Sequence, residues 1–411
     1  MVIDTGGQMP ALHVVTEALD SIRPLVPLVD PRNPLVFSRR GQGIAGVGEA
    51  LRLEFSGPDR MRDASAAWKK VAAASTVVDP LQLPGTGLVA FGAFTFSDTS
   101  AATSVLIVPS IIIGRRDGTS WITRINTDAA LPAATPVGPE YRITLRPGAL
   151  SPDGYLDAVD AAVARIRSNG LSKVVLARDL VGHLPAGADL RLITAELALG
   201  YPDCWTFAVD GLIGSSPETL VRADHGNVSA RVLAGSRARG ADALEDQEAA
   251  VALATSTKDQ DEHQYALQSL LTSLRPHSRN VATSELPFTL KLPNLWHLAS
   301  DVEGTLTDGS TSLDLIASLH PTAAVAGTPT VRALALIDEL EPFDRGRYAG
   351  PVGWVGADGD GEWAIALRCA EVAADGAITA YAGAGIVAES DAEMELAETK
   401  MKFRPMVEVF S

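Results

Sequence analysis

"GPVGWVGADGDGEWAIALRCAEVAADGAITAYAGAGIV", residues 350 to 387, is the stretch that decides the fold. It holds three strand candidates in succession, GPVGWVG (350–356), EWAIALRCAEV (362–372) and AITAYAGAGIV (377–387), with no helical pattern between them. Only afterwards comes a helix, through DAEMELAETKMKF (391–403). Strands grouped in blocks, not alternating strictly with helices, indicate an α+β fold with large, mostly antiparallel sheets.

The same texture extends outward from this stretch. Residues 1–150 read as strand-rich: GLVAFGAFTFS (87–97), SVLIVPSIIIG (104–114), SWITRI (120–125) and YRITL (141–145), with one helix near DASAAWKKVAAAS (63–75). From about residue 150 the pattern changes. SPDGYLDAVDAAVARIRSNG (151–170) sets Leu156, Val159, Val163 and Ile166 on one helical face and ends at Gly170, a suitable C-cap. SKVVLARDL (172–180) reads as a buried strand, and CWTFAVDGLIGSS (204–216) as one or two strands. SPETLV (216–221) reads as a helix start, capped by Ser216 with Pro217 in the first position. Residues 243–274 form a long helical stretch, and RVLAGSRARG (231–240) resembles a glycine-rich, anion-facing loop. The expectation is one catalytic unit over 1–411, with a variable part at 1–150 and a motif-bearing part at 151–411.

The 411 residues carry 50 acidic and 34 basic side chains, a formal charge of −16. That balance disfavours nucleic acid and anionic membranes as partners. An anionic substrate would then need a local cationic patch or a metal. Two cysteines, Cys204 and Cys369, build neither a disulfide framework nor a zinc motif, which fits a reducing cytoplasm. The N-terminus has neither a basic nor an apolar signal-peptide region, and no run is long and apolar enough to span a bilayer. The expectation is a soluble cytoplasmic protein.

Several residues have chemical potential, each with a plainer alternative. Glu395, Glu398 and Lys402 share one helical face, which is either a solvated charged face or a site for a metal and a carboxylate. Glu262 is either surface decoration or, with Glu398, a pair of oxygen ligands of the kind Mg²⁺ accepts. Lys173 opens a strand; exposed it is an edge residue, and in a partly buried pocket it would suit general-base work. Glu218, beside an expected helix start, would need burial or a nearby carboxylate to serve as a proton donor. His297 and His320 read as hydrogen-bonding pocket or core residues. The glycines of YAGAGIV (381–387) mark tight packing or a carboxylate cradle. P-loop, H-E-x-x-H and G-x-S-x-G motifs are missing from the sequence.

Taken in order, the segments KVVLAR, SSPETLV, RVLAGSRARG, TKDQDEH, LWHLASDVEGTL, LHPTAAVAGTP, FDRGRYAGPVGWV, IALRCAEV, YAGAGIV and ELAETKMK resemble the chorismate-utilising enzymes, and among them the isochorismate synthases. The resemblance is strong over 150–411 and loose before. It implies a two-sheet core flanked by helices and Mg²⁺-dependent chemistry on chorismate. By the same resemblance Lys173 would activate water and Glu218 would protonate the departing hydroxyl. Glu262 and Glu398 would bind Mg²⁺ directly, with Glu395 acting through water. Gly235, Ser236, His297, Ala324, Arg368, Gly383 and Lys402 would contact or line the substrate site. Ala234 stands where aminodeoxychorismate synthases carry a lysine nucleophile, and Lys173 where ammonia-using relatives typically carry glutamine. Water is therefore the expected nucleophile, with no glutamine amidotransferase subunit, and a monomer is expected.

The sequence departs from the family pattern at Thr257, Asp261, Leu396 and Ala323, none of which is a proposed catalytic group. Two other readings compete: a salicylate synthase, which makes isochorismate and then eliminates pyruvate, and a non-catalytic chorismate-binding homologue. Retention of the lysine, the acid and the metal carboxylates speaks against the second.

Overall fold

A computed structural model describes residues 10–21 and 24–410. The reading against a signal peptide rests partly on residues 1–9, which lie outside the described residues. Two large sheets make up the core, one of thirteen strands and one of ten, and the pairings are antiparallel except that His13–Leu19 runs parallel to Thr76–Val78. Strands from the first 150 residues enter both sheets, with Leu35–Arg39 in the larger and Val89–Ala93 in the smaller. The α+β expectation therefore holds.

The decisive stretch forms Pro351–Gly356 and Gly361–Ile365 in the smaller sheet, then Cys369–Val372 and Ala377–Ile386 in the larger. The chain thus changes sheets at Ala366–Arg368. A second crossing runs the other way, from Leu212–Ser216 in the larger sheet to Thr219–Asp224 in the smaller, through Pro217 and Glu218. The two crossings lie side by side: Ser215 N–H donates to the Arg368 carbonyl at 3.1 Å, and Ile365 N–H to the Glu218 carbonyl at 3.2 Å. This juxtaposition sets Glu218 and Arg368 where the two sheets meet.

Four local expectations are corrected. SPETLV starts no helix; Leu220 and Val221 are buried in a strand paired with Gly361–Ile365, and sheet pairing outweighs the Ser–Pro cap signal. RVLAGSRARG is no loop but part of the strand Asn227–Ala238, with a register shift at Gly235, whose φ of +78° supplies the bulge conformation glycine tolerates. The helical stretch at 243–274 is two helices, Ala243–Ala254 and Thr257–Leu274, the second capped by Ser256, whose hydroxyl accepts from Asp259 N–H. YRITL keeps its alternating burial yet joins no ladder over 141–145; Ile143 N–H bonds the Phe410 carbonyl instead.

The helix over 151–170 is present as Pro152–Asn169, capped by Ser151 and closed by Gly170 at φ +64°. SVLIVPSIIIG splits at Pro109 into Ser104–Val108 of the smaller sheet and Ile111–Arg116 of the larger. Among the described residues no helix is long and apolar enough to cross a membrane.

Candidate active site

Lys173 begins the strand Lys173–His183 and is wholly buried, unlike a snorkelling edge lysine. Its Nζ lies 3.0 Å from Glu262 Oε1, yet without a well-aligned hydrogen bond, so the ammonium is only partly satisfied. Glu262 comes from the first turns of the helix Thr257–Leu274. Burial pushes its carboxyl up, but Lys173, Lys402 and Lys258 together outweigh that and hold it below the ordinary value. Gly385 makes this approach possible. A Cβ there would stand 2.3 Å from Glu262 Oε1 and 2.9 Å from Lys173 Cε.

Glu218, at the sheet crossing, is 5% exposed, and burial pushes its carboxyl up to about 8 against the opposing charges of Lys173, Arg368 and Lys402. No helix starts beside it, so the dipole that would have lowered its value is missing and burial alone accounts for the rise. At neutral pH the group is a protonated acid.

Arg368, at the other crossing, adopts φ +49° and is buried; its guanidinium donates to His297 Nε2 at 3.3 Å. That leaves His297 Nδ1 to donate to Ser236 Oγ at 3.0 Å and the Gly235 carbonyl at 3.3 Å. Burial, reinforced by the Arg368 and Lys402 charges, holds the imidazole well below its ordinary value, hence neutral. Lys402, on the helix Ala392–Phe410, donates to the Gly383 carbonyl at 2.9 Å and pairs with Glu398 at 2.6 Å.

These groups surround one cavity of about 50 Å³, whose wall contains Glu218, Gly235, Ser236, Glu262, His297, Ala324, Arg368, Gly383 and Lys402. Lys173 adjoins it through Glu262 and Gly385, and Glu398 through Lys402. A larger cleft of about 570 Å³, walled by residues such as Arg32, Gly187 and Gly376, is open and lacks comparable buried charge. Chemistry, not size, marks the first as the site. Tyr348 and Gly385 also line it and were not singled out from sequence; the Tyr348 ring stacks on Tyr381 at 5.1 Å. Both lie inside the quoted segments FDRGRYAGPVGWV and YAGAGIV, where a tyrosine and a second glycine were the available signals. Two of the three arginines of RVLAGSRARG have other duties: Arg231 pairs with Asp301 and Arg239 with Asp246. Leu233, Ala234, Gly235 and Ser236 of that segment meet the cavity around its glycine bulge.

The carboxylates expected to hold a metal are each paired with a lysine. Glu395, 2% exposed and so no solvated surface group, accepts from Lys258 Nζ at 2.9 Å. Burial and then the negative charge of Glu398 push the Glu395 carboxyl up. The oxygens of Glu262, Glu395 and Glu398 do not gather within 4.8 Å; among the described residues Asp224, His225 and Asp360 do so, at an exposed hairpin where Arg222 already pairs with Asp224.

A fold of two mostly antiparallel sheets with a neutral acid and a guanidinium lining one cavity and a buried lysine beside it defines an enzyme-type site for a small anionic molecule. The chain belongs to the chorismate-binding enzyme family, whose model matches residues 8–411. It is 42% identical over 268 residues to the isochorismate synthase DhbC of Bacillus subtilis, covering 62% of this chain and 67% of that one. It is 35% identical over 334 residues to the putative isochorismate synthase MenF of Mycobacterium tuberculosis, covering 78% and 85%. The crystal structure of a putative 2,3-dihydroxybenzoate-specific isochorismate synthase, DhbC from Bacillus anthracis, superposes with a TM-score of 0.78 at 31% identity, covering 94% of this chain and 98% of that one. The menaquinone-specific MenF from Escherichia coli shares the fold, with a TM-score of 0.81 at 24% identity over 98% of this chain and 96% of that one.

Proposed function

We propose that the protein is an isochorismate synthase, interconverting chorismate and isochorismate by adding water at ring carbon 2 and releasing the carbon 4 hydroxyl. The observation that carries this reading is the buried Glu218 carboxyl, raised to about 8 and sharing one site with the fully buried Lys173. An acid that is protonated at neutral pH and a separate amine are the pair needed to move a hydroxyl around a ring. The relatives with names of that activity support it.

In this reading Lys173 first gives its ammonium proton to solvent and, as the free amine, takes a proton from the attacking water while Glu218 gives one to the departing hydroxyl, which leaves as water. Arg368 and Lys402 receive the substrate carboxylates, offsetting the strongly negative charge of the chain. His297, neutral and pinned between Arg368 and Gly235, keeps the guanidinium in place.

Magnesium is part of the proposal. Crowded carboxylates are oxygen donors suited to a hard cation, and the repulsion that Glu398 exerts on Glu395 is of the kind a cation relieves. Glu262 and Glu398 would hold Mg²⁺, with Glu395 behind them, once their lysines turn elsewhere. Bound there, the ion would supply Lewis-acid polarisation of the substrate.

The test is purified protein with chorismate, with and without Mg²⁺, products separated and identified by mass and NMR. Mg²⁺-dependent isochorismate in equilibrium with chorismate, without pyruvate, is the expected result. Salicylate with equimolar pyruvate would make it a salicylate synthase, and unchanged chorismate would leave a binding protein. A monomer acting in the cytoplasm without an amidotransferase partner completes the proposal; light scattering tests the first part.

A further inference from the structure

Behind Glu218 lies a second, much smaller cavity, between the sheet and the helix Thr257–Leu274, with room for about one water molecule. Its wall includes Glu218, Leu220, Ala266, Leu270, Thr322 and Ala324. Glu218 and Ala324 belong to the walls of both cavities and so form the partition between them. Thr322 is 4% exposed, and its Oγ1 has no hydrogen-bond partner among the described residues. A buried hydroxyl left unbonded costs on the order of 1–3 kcal/mol, a penalty an enclosed water removes.

We propose that one buried water, held between the Thr322 hydroxyl and the Glu218 carboxyl, orients Glu218 for proton delivery, making Thr322 a positioning residue. The proposal rests on the isochorismate synthase reading for its catalytic meaning. Glu218 already accepts from the Leu233 backbone N–H on one side. A carboxyl fixed by one donor still rotates about its side-chain bonds; a second partner from the opposite side fixes its plane. Thr322 donates to the water, and the water donates to Glu218. When Glu218 gives its proton to the leaving hydroxyl, the carboxylate that remains has two donors, Leu233 N–H and the water. No other bond is made or broken at this site. The proton gained by Lys173 and the proton lost by Glu218 balance by exchange with solvent after product leaves.

Of the remaining walls Leu220, Val232, Ala266 and Leu270 are apolar; the Thr219 hydroxyl already accepts from the Trp205 indole N–H at 2.8 Å, and the Arg231 guanidinium, itself only a donor, pairs with Asp301, so Glu218 is the acceptor left for the water. That makes the two polar groups one unit: removing the Thr322 hydroxyl leaves the water with too few partners to stay ordered.

Two measurements decide this. In a high-resolution crystal structure of the unliganded wild type, an ordered water within hydrogen-bonding distance of both Thr322 Oγ1 and the Glu218 carboxyl is expected; a dry cavity overturns the site, whatever the enzyme's activity. In steady-state kinetics, Thr322→Val should lower kcat about tenfold with KM little changed, the size of one lost hydrogen bond to a charged group. Loss of a donor to the ionised carboxyl should also move the alkaline limb of kcat upward, whereas Thr322→Ser, which keeps the hydroxyl, should stay near wild type. Wild-type kcat and pH profile in Thr322→Val, or equal damage in Thr322→Ser, overturns the positioning role. A wild type that makes no isochorismate instead overturns the functional reading, and the crystal structure still judges the water.

Discussion

Lys173 and Glu262 meet at 3.0 Å over the space that Gly385 leaves bare, so that the proposed base and the proposed metal ligand hold each other in the same buried spot. Two elements distant in sequence supply them, the strand Lys173–His183 and the helix Thr257–Leu274. Lys173→Ala should abolish most isochorismate formation, a loss of about 10²- to 10⁴-fold typical of a missing general base. Near-wild-type turnover by coupled assay of that variant would move the base elsewhere.

Gly385→Ala should be costly for a steric reason alone. Its Cβ would fall 2.3 Å from Glu262 Oε1, and overpacking a close-packed site costs about 1–3 kcal/mol. Lower thermal stability together with reduced turnover is expected, read by calorimetry and by product formation. An unchanged melting temperature would show that the Lys173–Glu262 contact gives way freely.

Glu218 predicts a pH dependence with a definite sign. Its folded-state value of about 8 lies above the ordinary 4.5, so folding favours the protonated form. The stability this contributes is fully present below pH 4.5 and is lost as pH rises through 8. Wild type should therefore lose stability relative to Glu218→Gln between those limits, measured by denaturant unfolding at several pH values. The kcat of wild type should fall above about pH 8 as the acid ionises, and Glu218→Gln should be nearly inactive throughout. A flat alkaline limb would remove Glu218 from the proton-donor role.

Magnesium should bind through Glu262 and Glu398, displacing their lysines. Titration calorimetry with MgCl₂ alone is expected to show binding to wild type and a loss of at least about tenfold in affinity for Glu398→Gln, as expected when one of only one or two carboxylate ligands is removed. Equal affinity in the variant would place the ion elsewhere, with the Asp224, His225 and Asp360 cluster the next position to substitute.

Arg368→Ala should raise KM for chorismate about 10- to 100-fold, the range for losing a hydrogen bond to a charged group. The same variant frees His297 from its neighbouring cation, one of the two charges that hold the imidazole neutral. NMR titration of His297 should then show a higher value than in wild type. An unchanged titration would separate the two residues.

The chain's own residue order determined the family and the α+β class, and it named most of the candidates that the fold gathers around one cavity, because motif residues are local and their types declare their chemistry. The cap at Ser151 and the stop at Gly170 were likewise legible, since each acts within one helical turn. Tertiary structure decided the rest. Ser216–Pro217–Glu218 carries a helix-start signal, yet pairing with strands far along the chain made it a crossing between sheets. That crossing buries Glu218, and the burial lifts its carboxyl to about 8. Gly235 reads as a loop glycine and proves to be a bulge in a long strand, while Arg231 and Arg239 on either side of it pair with Asp301 and Asp246. Which lysine meets which glutamate, and which glycine must stay bare for them to meet, depend on packing between distant segments. Burial and register are set by the whole fold at once, and no local pattern encodes them.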